Sequence, residues 1–202
     1  MKKILFLFFL FPLFTFAQSP QSILDKATSK FKSIKCLKSA YTLSMSDNGH
    51  SSSHKGCIII QGNKYVNYLN GTTIWFNGKT MWTLVEENGE VNITEPSSSE
   101  LMYSNPYHFL NSYKKDFKVY LLNSSLNHYS LQLIPKEINN DLKKIIISIN
   151  KQSFQPSRIQ LNTGKSVISI DINSYQSVKT YNSKSFTFNT KNYPNVDVID
   201  LR

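Results

Sequence analysis

The sequence predicts a mainly β chain with an α lid: an unclosed antiparallel β-barrel, or half-barrel, of about 11–12 strands. An N-terminal helix and a central helical insert are expected to cover it. Three observations predict this. From Ser39 onward apolar and polar residues alternate with a period of two, as Tyr41, Leu43 and Met45 do against Thr42, Ser44 and Ser46. Turn signals recur at short intervals, among them Asp47-Asn48-Gly49, Gly62-Asn63, Asn70-Gly71, Asn77-Gly78, Asn88-Gly89 and Thr163-Gly164. The alternation lapses at residues 20–35 and 97–115, where the pattern turns helical or breaks at a proline.

The first seventeen residues stand apart from the rest. Lys2 and Lys3 precede an apolar run from Ile4 to Phe14, and Thr15-Phe16-Ala17 puts small residues at −3 and −1 of a cut after Ala17. That is the pattern of a secretory signal peptide. Gln18-Ser19 ends the run well short of the roughly 20 apolar residues that cross a bilayer, and no cysteine follows to carry a lipid. The remaining chain, residues 18–202, is expected to form one domain, and losing Lys2 and Lys3 lowers the net charge of +10 to +8. No later stretch is apolar enough to span a membrane. An exported protein of this size leaves little place for a nucleic-acid partner despite its basic charge.

Ser19-Pro20 is a helix start, a hydroxyl cap followed by a proline whose missing N–H costs nothing there. Ile23, Ala27, Phe31 and Ile34 follow at helical spacing, which predicts one amphipathic helix over 20–35. Lys26, Lys30, Lys32, Lys35 and Lys38 are the one concentration of lysines. They read either as the solvated face of that helix or as a surface drawn to anionic lipid headgroups. Strands are expected at 39–47, 54–61, 64–69, 72–77, 80–86, 90–94, 117–122, 127–134, 143–150, 155–162, 165–174 and 184–189. Between them, residues 97–115 begin with a serine cluster and contain Asn105-Pro106, which predicts two short helices broken at the proline. Leu101, Met102, Tyr103, Phe109 and Leu110 would let this insert act as a lid over an apolar surface.

Catalytic patterns are missing. There is no nucleophile elbow, no His-Glu-x-x-His, no Cys-x-x-Cys and no phosphate-binding glycine loop. His50 and His54 have a zinc-compatible spacing only on a helix, and this serine-rich stretch reads as a hairpin. The expectation is a protein that is not an enzyme and needs neither metal nor cofactor. Cys36 and Cys57 would be able to pair after export, but a simple hairpin centred on Asn48–Ser51 sets residue 57 opposite residue 42. That is about 20 Å along the strand from Cys36, against the roughly 7 Å a bridge allows between Cα atoms.

Three stretches carry a family resemblance. Thr73-Ile74-Trp75-Phe76-Asn77-Gly78-Lys79-Thr80-Met81-Trp82 is similar to a "DGKTLW" hairpin. Lys55-Gly56-Cys57-Ile58-Ile59-Ile60 is similar to a strand that leads to a basic turn. Phe186-Thr187-Phe188 followed by Tyr193-Pro194-Asn195-Val196-Asp197-Val198-Ile199-Asp200 is similar to a closing "F-x-F-x-x-P…V-x-V-x-D" pattern. In order and spacing they resemble the periplasmic outer-membrane lipoprotein carrier family, LolA.

The resemblance implies an incomplete barrel with an apolar cavity that shields the acyl chains of lipoproteins between membranes. It implies a monomer, in the periplasm, that takes cargo from an inner-membrane ABC-type release complex and passes it on, sometimes through an outer-membrane acceptor. Shielding is worth about 0.8 kcal/mol per buried CH₂, so the lining should be apolar. Strand parity nominates Tyr41, Leu43, Met45, Ile58, Ile60, Trp75, Trp82, Leu84, Ile147 and Ile149. Better-known members latch their lid with an arginine after the second strand; here that position is Gly62, and Lys64 is the nearest cation. A lipid-sensing or scaffold protein of the same fold is the other reading.

Overall fold

The computed structural model describes residues 18–47, 50–137 and 142–202. The expected signal peptide lies outside these residues. Helix α1 (Pro20–Ser33) starts as anticipated, with the Ser19 side chain accepting from the Ser22 N–H at 3.1 Å and Pro20 in its first turn. It buries Ile23, Leu24, Ala27, Thr28 and Phe31. It stops two residues before the expected end because Ile34 turns to extended backbone.

Six strands follow in a meander: β1 (Leu37–Asp47), β2 (His50–Gln61), β3 (Lys64–Leu69), β4 (Thr72–Phe76), β5 (Met81–Val85) and β6 (Glu90–Thr94). The insert then supplies α2 (Ser98–Ser104), a 3-10 turn (His108–Asn111) and the short α3 (Tyr113–Asp116). A second meander runs β7 (Phe117–Ser124), β8 (His128–Pro135), β9 (Lys144–Asn150), β10 (Pro156–Asn162) and β11 (Ser166–Ile172). The two halves join where β11 pairs antiparallel with β1, Leu43 opposite Ile170. The sheet holds 13 strands, in the order β13-β6-β5-β4-β3-β2-β1-β11-β10-β9-β8-β7, with β12 (Gln176–Ser177) pairing β1 off that path. The path does not close, so β7 and β13 (Asp197–Asp200) are its two ends.

Two expectations fail near the C-terminus. Residues 184–189 are not a strand: Ser183–Phe186 is a 3-10 turn capped by the Asn182 side chain. Phe186 and Phe188 alternate because both bury against the sheet, and burial alone mimics the strand period. Conversely, Asp197–Asp200 is a strand the alternation did not announce, and it pairs parallel with β6. Its side chains are all exposed, so no apolar stripe marks it.

The β1–β2 hairpin is centred one residue earlier than expected, and Cys57 lies opposite Ala40. Both cysteines are free, Cys36 fully buried. His50 and His54 share one face of β2, about 13 Å apart at strand rise, too far to hold one ion. Among the described residues no group of three His, Cys, Asp or Glu side chains is placed to bind a metal.

Each face of the sheet has its own core. On the inner face, strand residues such as Tyr41, Ile58, Ile145 and Ile159 merge with α1 and the insert into one cluster. On the outer face, Val66, Trp75, Leu84 and Val91 are covered by Phe186 and Phe188 of the C-terminal segment. A two-sided sheet of this kind needs apolar residues at both parities, which β3 and β4 supply through Tyr65/Val66 and Trp75/Phe76.

Candidate functional site

The inner face and the insert above it form the candidate site. Tyr41, Ile58, Ile60, Ile147 and Ile149 lie in the inner core, and Leu43 packs at its margin. Met45 shares their parity but sits toward the hairpin end, 39% exposed. Trp75, Trp82 and Leu84 were expected to line the same cavity, but they belong to the outer cluster. Their one-residue offset in parity decides this, since successive strand residues point to opposite faces. Trp75 stands opposite Val66 and Trp82, and its ring meets Phe188 edge-on at 5.5 Å.

Local hydrogen bonds set the path of the insert. A capping box starts α2: Glu100 N–H donates to Ser97 Oγ at 3.3 Å, and Ser97 N–H donates back to the Glu100 carboxylate at 2.7 Å. Asn105 ends the helix, and its side chain accepts from the Tyr107 N–H at 3.0 Å, turning the chain at Pro106. Phe109 and Leu110 then point fully into the inner core, while Leu101 and Met102 cover its edge. Tyr103, the fifth expected lid residue, is 39% exposed.

Beside Tyr41, residues that the sequence did not single out hold the insert to the sheet. Tyr41 donates its hydroxyl to Asn67 Oδ1 at 2.7 Å, and Asn67 Nδ2 donates to the Ser104 carbonyl at 2.9 Å. The Tyr65 hydroxyl meets Ser104 Oγ at 2.5 Å. A second anchor joins Tyr107 to Ser39 Oγ at 2.7 Å, and Ser39 in turn donates to the Ser174 carbonyl at 2.9 Å. Ser39, Asn67 and Ser104 are polar residues buried among apolar ones, a property that only the fold reveals. Burial pushes the Tyr41 and Tyr65 hydroxyls up to about 12, and it raises Tyr107 further still. The connection between lid and sheet is therefore neutral throughout the physiological range.

Lys64 takes no part in it. Its ammonium donates to Ser183 Oγ at 3.2 Å, in the C-terminal segment, and Gly62 sits in the β2–β3 turn with a positive φ of 62°. A charged clip ties α3 to α1 instead: Asp25 accepts from the Tyr113 hydroxyl and lies 2.8 Å from the Lys114 ammonium. The Lys114 hydrogen bond, then that of Tyr113, lowers the Asp25 pKa. On the outer face, an open hollow of about 420 Å³ is lined by polar groups such as Ser130, Ser148 and the Arg158–Asp171 ion pair.

A family model described as "Outer membrane lipoprotein carrier protein LolA" matches residues 13–165. The chain belongs to the LolA family. Solved structures agree on the fold at low identity. A LolA superfamily protein from Nitrosomonas europaea is 15% identical, covers 85% of this chain and 99% of its own, and has a TM-score of 0.50. An uncharacterized conserved protein from Thermus thermophilus is 10% identical, covers 91% and 99%, and has a TM-score of 0.60. No match was found among curated proteins. In this LolA-family chain the residues that bind the insert to the sheet are tyrosines, serines and one asparagine.

Proposed function

We propose that the protein is a periplasmic carrier, a single domain of residues 18–202 released from its signal peptide. It would shield the acyl chains of lipoproteins on the inner face of the sheet and shuttle them from the inner to the outer membrane. An ABC-type release complex would load it and an outer-membrane acceptor would unload it. One observation carries this reading. The inner face is a continuous, mostly apolar surface, and the segment covering it meets it by packing of Phe109 and Leu110 and by a few hydrogen bonds of Ser104 and Tyr107. The helical elements of this cover are not strands of the sheet's path, so their release would not in itself unpair a ladder.

Side chains of the insert occupy the space that acyl chains would take, so loading exchanges Phe109 and Leu110 for cargo methylenes. Apolar surface then replaces apolar surface, and the net gain is the burial of chains that water would otherwise face, about 0.8 kcal/mol per CH₂. The test is to purify the exported protein from its own cells and identify bound lipid or lipoprotein by mass spectrometry. Acylated cargo in stoichiometric amount supports carriage. A protein that stays empty when acylated lipoproteins are supplied, and instead binds one protein partner, overturns it in favour of a sensor or scaffold.

A further inference from the structure

The hydrogen bonds between Ser104 and the sheet have a direction, and the direction selects a chemistry. The Ser104 carbonyl accepts only, so Asn67 must turn its Nδ2 toward the lid and its Oδ1 toward Tyr41. Ser104 Oγ gives its own proton to the Glu100 carbonyl at 2.7 Å, which leaves Tyr65 as the donor in the contact between the two hydroxyls. At this point of the interior the sheet thus offers two donors, Tyr65 O–H and Asn67 Nδ2–H, and the lid answers with two acceptors. Tyr65 and Asn67 are 1% and 4% exposed, so neither has water to fall back on.

When the lid gives way to cargo, Asn67 Nδ2 loses its acceptor and Tyr65 is left with only a weak sulfur acceptor, Met81 Sδ at 3.9 Å, inside an apolar chamber. Tyr41 keeps its bond to Asn67 because both belong to the sheet, and it holds the amide aimed inward. A hydrocarbon chain cannot satisfy those donors; a carbonyl oxygen can. Tyr65 and Asn67 stand two residues apart on β3, about 7 Å between Cα atoms, within reach of two ester groups on neighbouring carbons of one glycerol.

We propose that Tyr65 and Asn67 form a carbonyl-binding station that receives the ester linkages of a diacylglyceryl group and mimics there the contacts made by Ser104. This rests on the carrier reading and adds to it a preference: ester-linked chains over chains of equal length that lack carbonyls. Ser104 is then the resident stand-in for the ligand, and the same two donors hold the lid shut when the chamber is empty and hold the cargo when it is full.

The experiment compares two probes by calorimetric titration of the exported protein: dioctanoylglycerol and its diether counterpart dioctylglycerol, equal in chain length and headgroup. The diester is expected to bind about five- to thirtyfold more tightly, as one or two neutral hydrogen bonds allow. Tyr65→Phe and Asn67→Leu should each cut that ratio severalfold. The ratio is the readout because a loosened lid raises both affinities alike. Equal binding of the two probes by the unaltered protein, or a ratio unmoved in Tyr65→Phe, overturns the station while leaving the carrier standing. Binding of neither probe overturns the carrier reading and the station with it.

Discussion

Gly56 leaves the space that the Tyr41 ring occupies. The two face each other across the β1–β2 pair, and a Cβ built on Gly56 would lie 2.3 Å from Cζ of Tyr41 and 2.6 Å from its hydroxyl. A glycine in a strand interior costs backbone entropy. Here it lets the ring reach across β2 so that its hydroxyl meets Asn67 on β3. Gly56→Ala should therefore lower stability by about 1–3 kcal/mol, the usual penalty for overfilling a packed site. Urea denaturation would measure it. In a Tyr41→Leu background the same change should cost much less, and an undiminished cost would show that the ring is not the obstacle.

The buried hydroxyls set a stability limit in alkali. Tyr41 and Tyr65 ionise at about 12 in the folded protein, chiefly because burial disfavours the phenolate, against a reference near 10. Between those values the folded state holds protons that the unfolded chain has released. Stability is intact below pH ~10 and falls as pH rises toward ~12. The urea midpoint followed from pH 8 to 12 should show this decline, shallower in a Tyr41→Phe, Tyr65→Phe variant. Tyr107 and Tyr175 are raised in the same direction by burial, so part of the slope should persist.

The two tryptophans lie on the face of the sheet opposite the proposed cargo surface. Trp75 and Trp82 both sit in the outer cluster beneath Phe188 and Tyr193. Loading the inner face with an acyl probe should leave the emission maximum in place, whereas Phe188→Ala should shift it to the red. A large emission change on loading would put the chains on the outer face and sink the inner-face assignment.

How much of this could be read from the residues depends on which force left a pattern. Tyr41, Ile58, Ile60, Ile147 and Ile149 were legible because alternation reports burial directly. Trp75, Trp82 and Leu84 misled because alternation states that a residue is buried and not on which face. The second core under Phe186 and Phe188 forms between segments about 100 residues apart, and no local period encodes that meeting. The latch was the least visible part. Ser39, Asn67 and Ser104 look like ordinary polar positions until the fold surrounds them with aliphatic side chains. A neutral network of Tyr41, Tyr65, Asn67 and Ser104 satisfies these buried groups, and no charged residue marks it in the sequence.

Lid substitutions separate along a line of burial. Phe109 is 0% exposed, so Phe109→Asp would bury an unpaired carboxylate and unfold the closed protein along with any lid effect. Leu101 lies at the margin of the inner core. Leu101→Asp should change stability by about 1 kcal/mol, the centre of the range for single substitutions, while reducing uptake of a fluorescent acyl probe severalfold. Normal uptake in a folded Leu101→Asp protein would show that α2 is not on the loading route.

The insert is fastened at two ends by different physics, and the ends should respond separately. At α2 the ties to the sheet are neutral and buried; at α3 the Asp25 carboxylate of α1 is shared by Tyr113 and Lys114, and Lys136, just past β8, donates its ammonium to the Lys114 carbonyl and its N–H to the Asp116 carbonyl. Asp25→Asn keeps the shape and removes the charge, so the α3 end should open more often while the α2 end stays bound to Tyr65 and Asn67. Hydrogen exchange distinguishes these outcomes. Amides of residues 108–116 should exchange faster in the variant, with β8, β9 and β10 still protected by their paired neighbours. Acid should reproduce the effect. The Asp25 pKa is held down by Lys114 first and Tyr113 second, so the clip is intact above pH ~4 and is lost as pH falls through its lowered value. If α2 loosens as readily as α3 in Asp25→Asn, the insert moves as one rigid flap, and the carbonyl station would then open together with the clip.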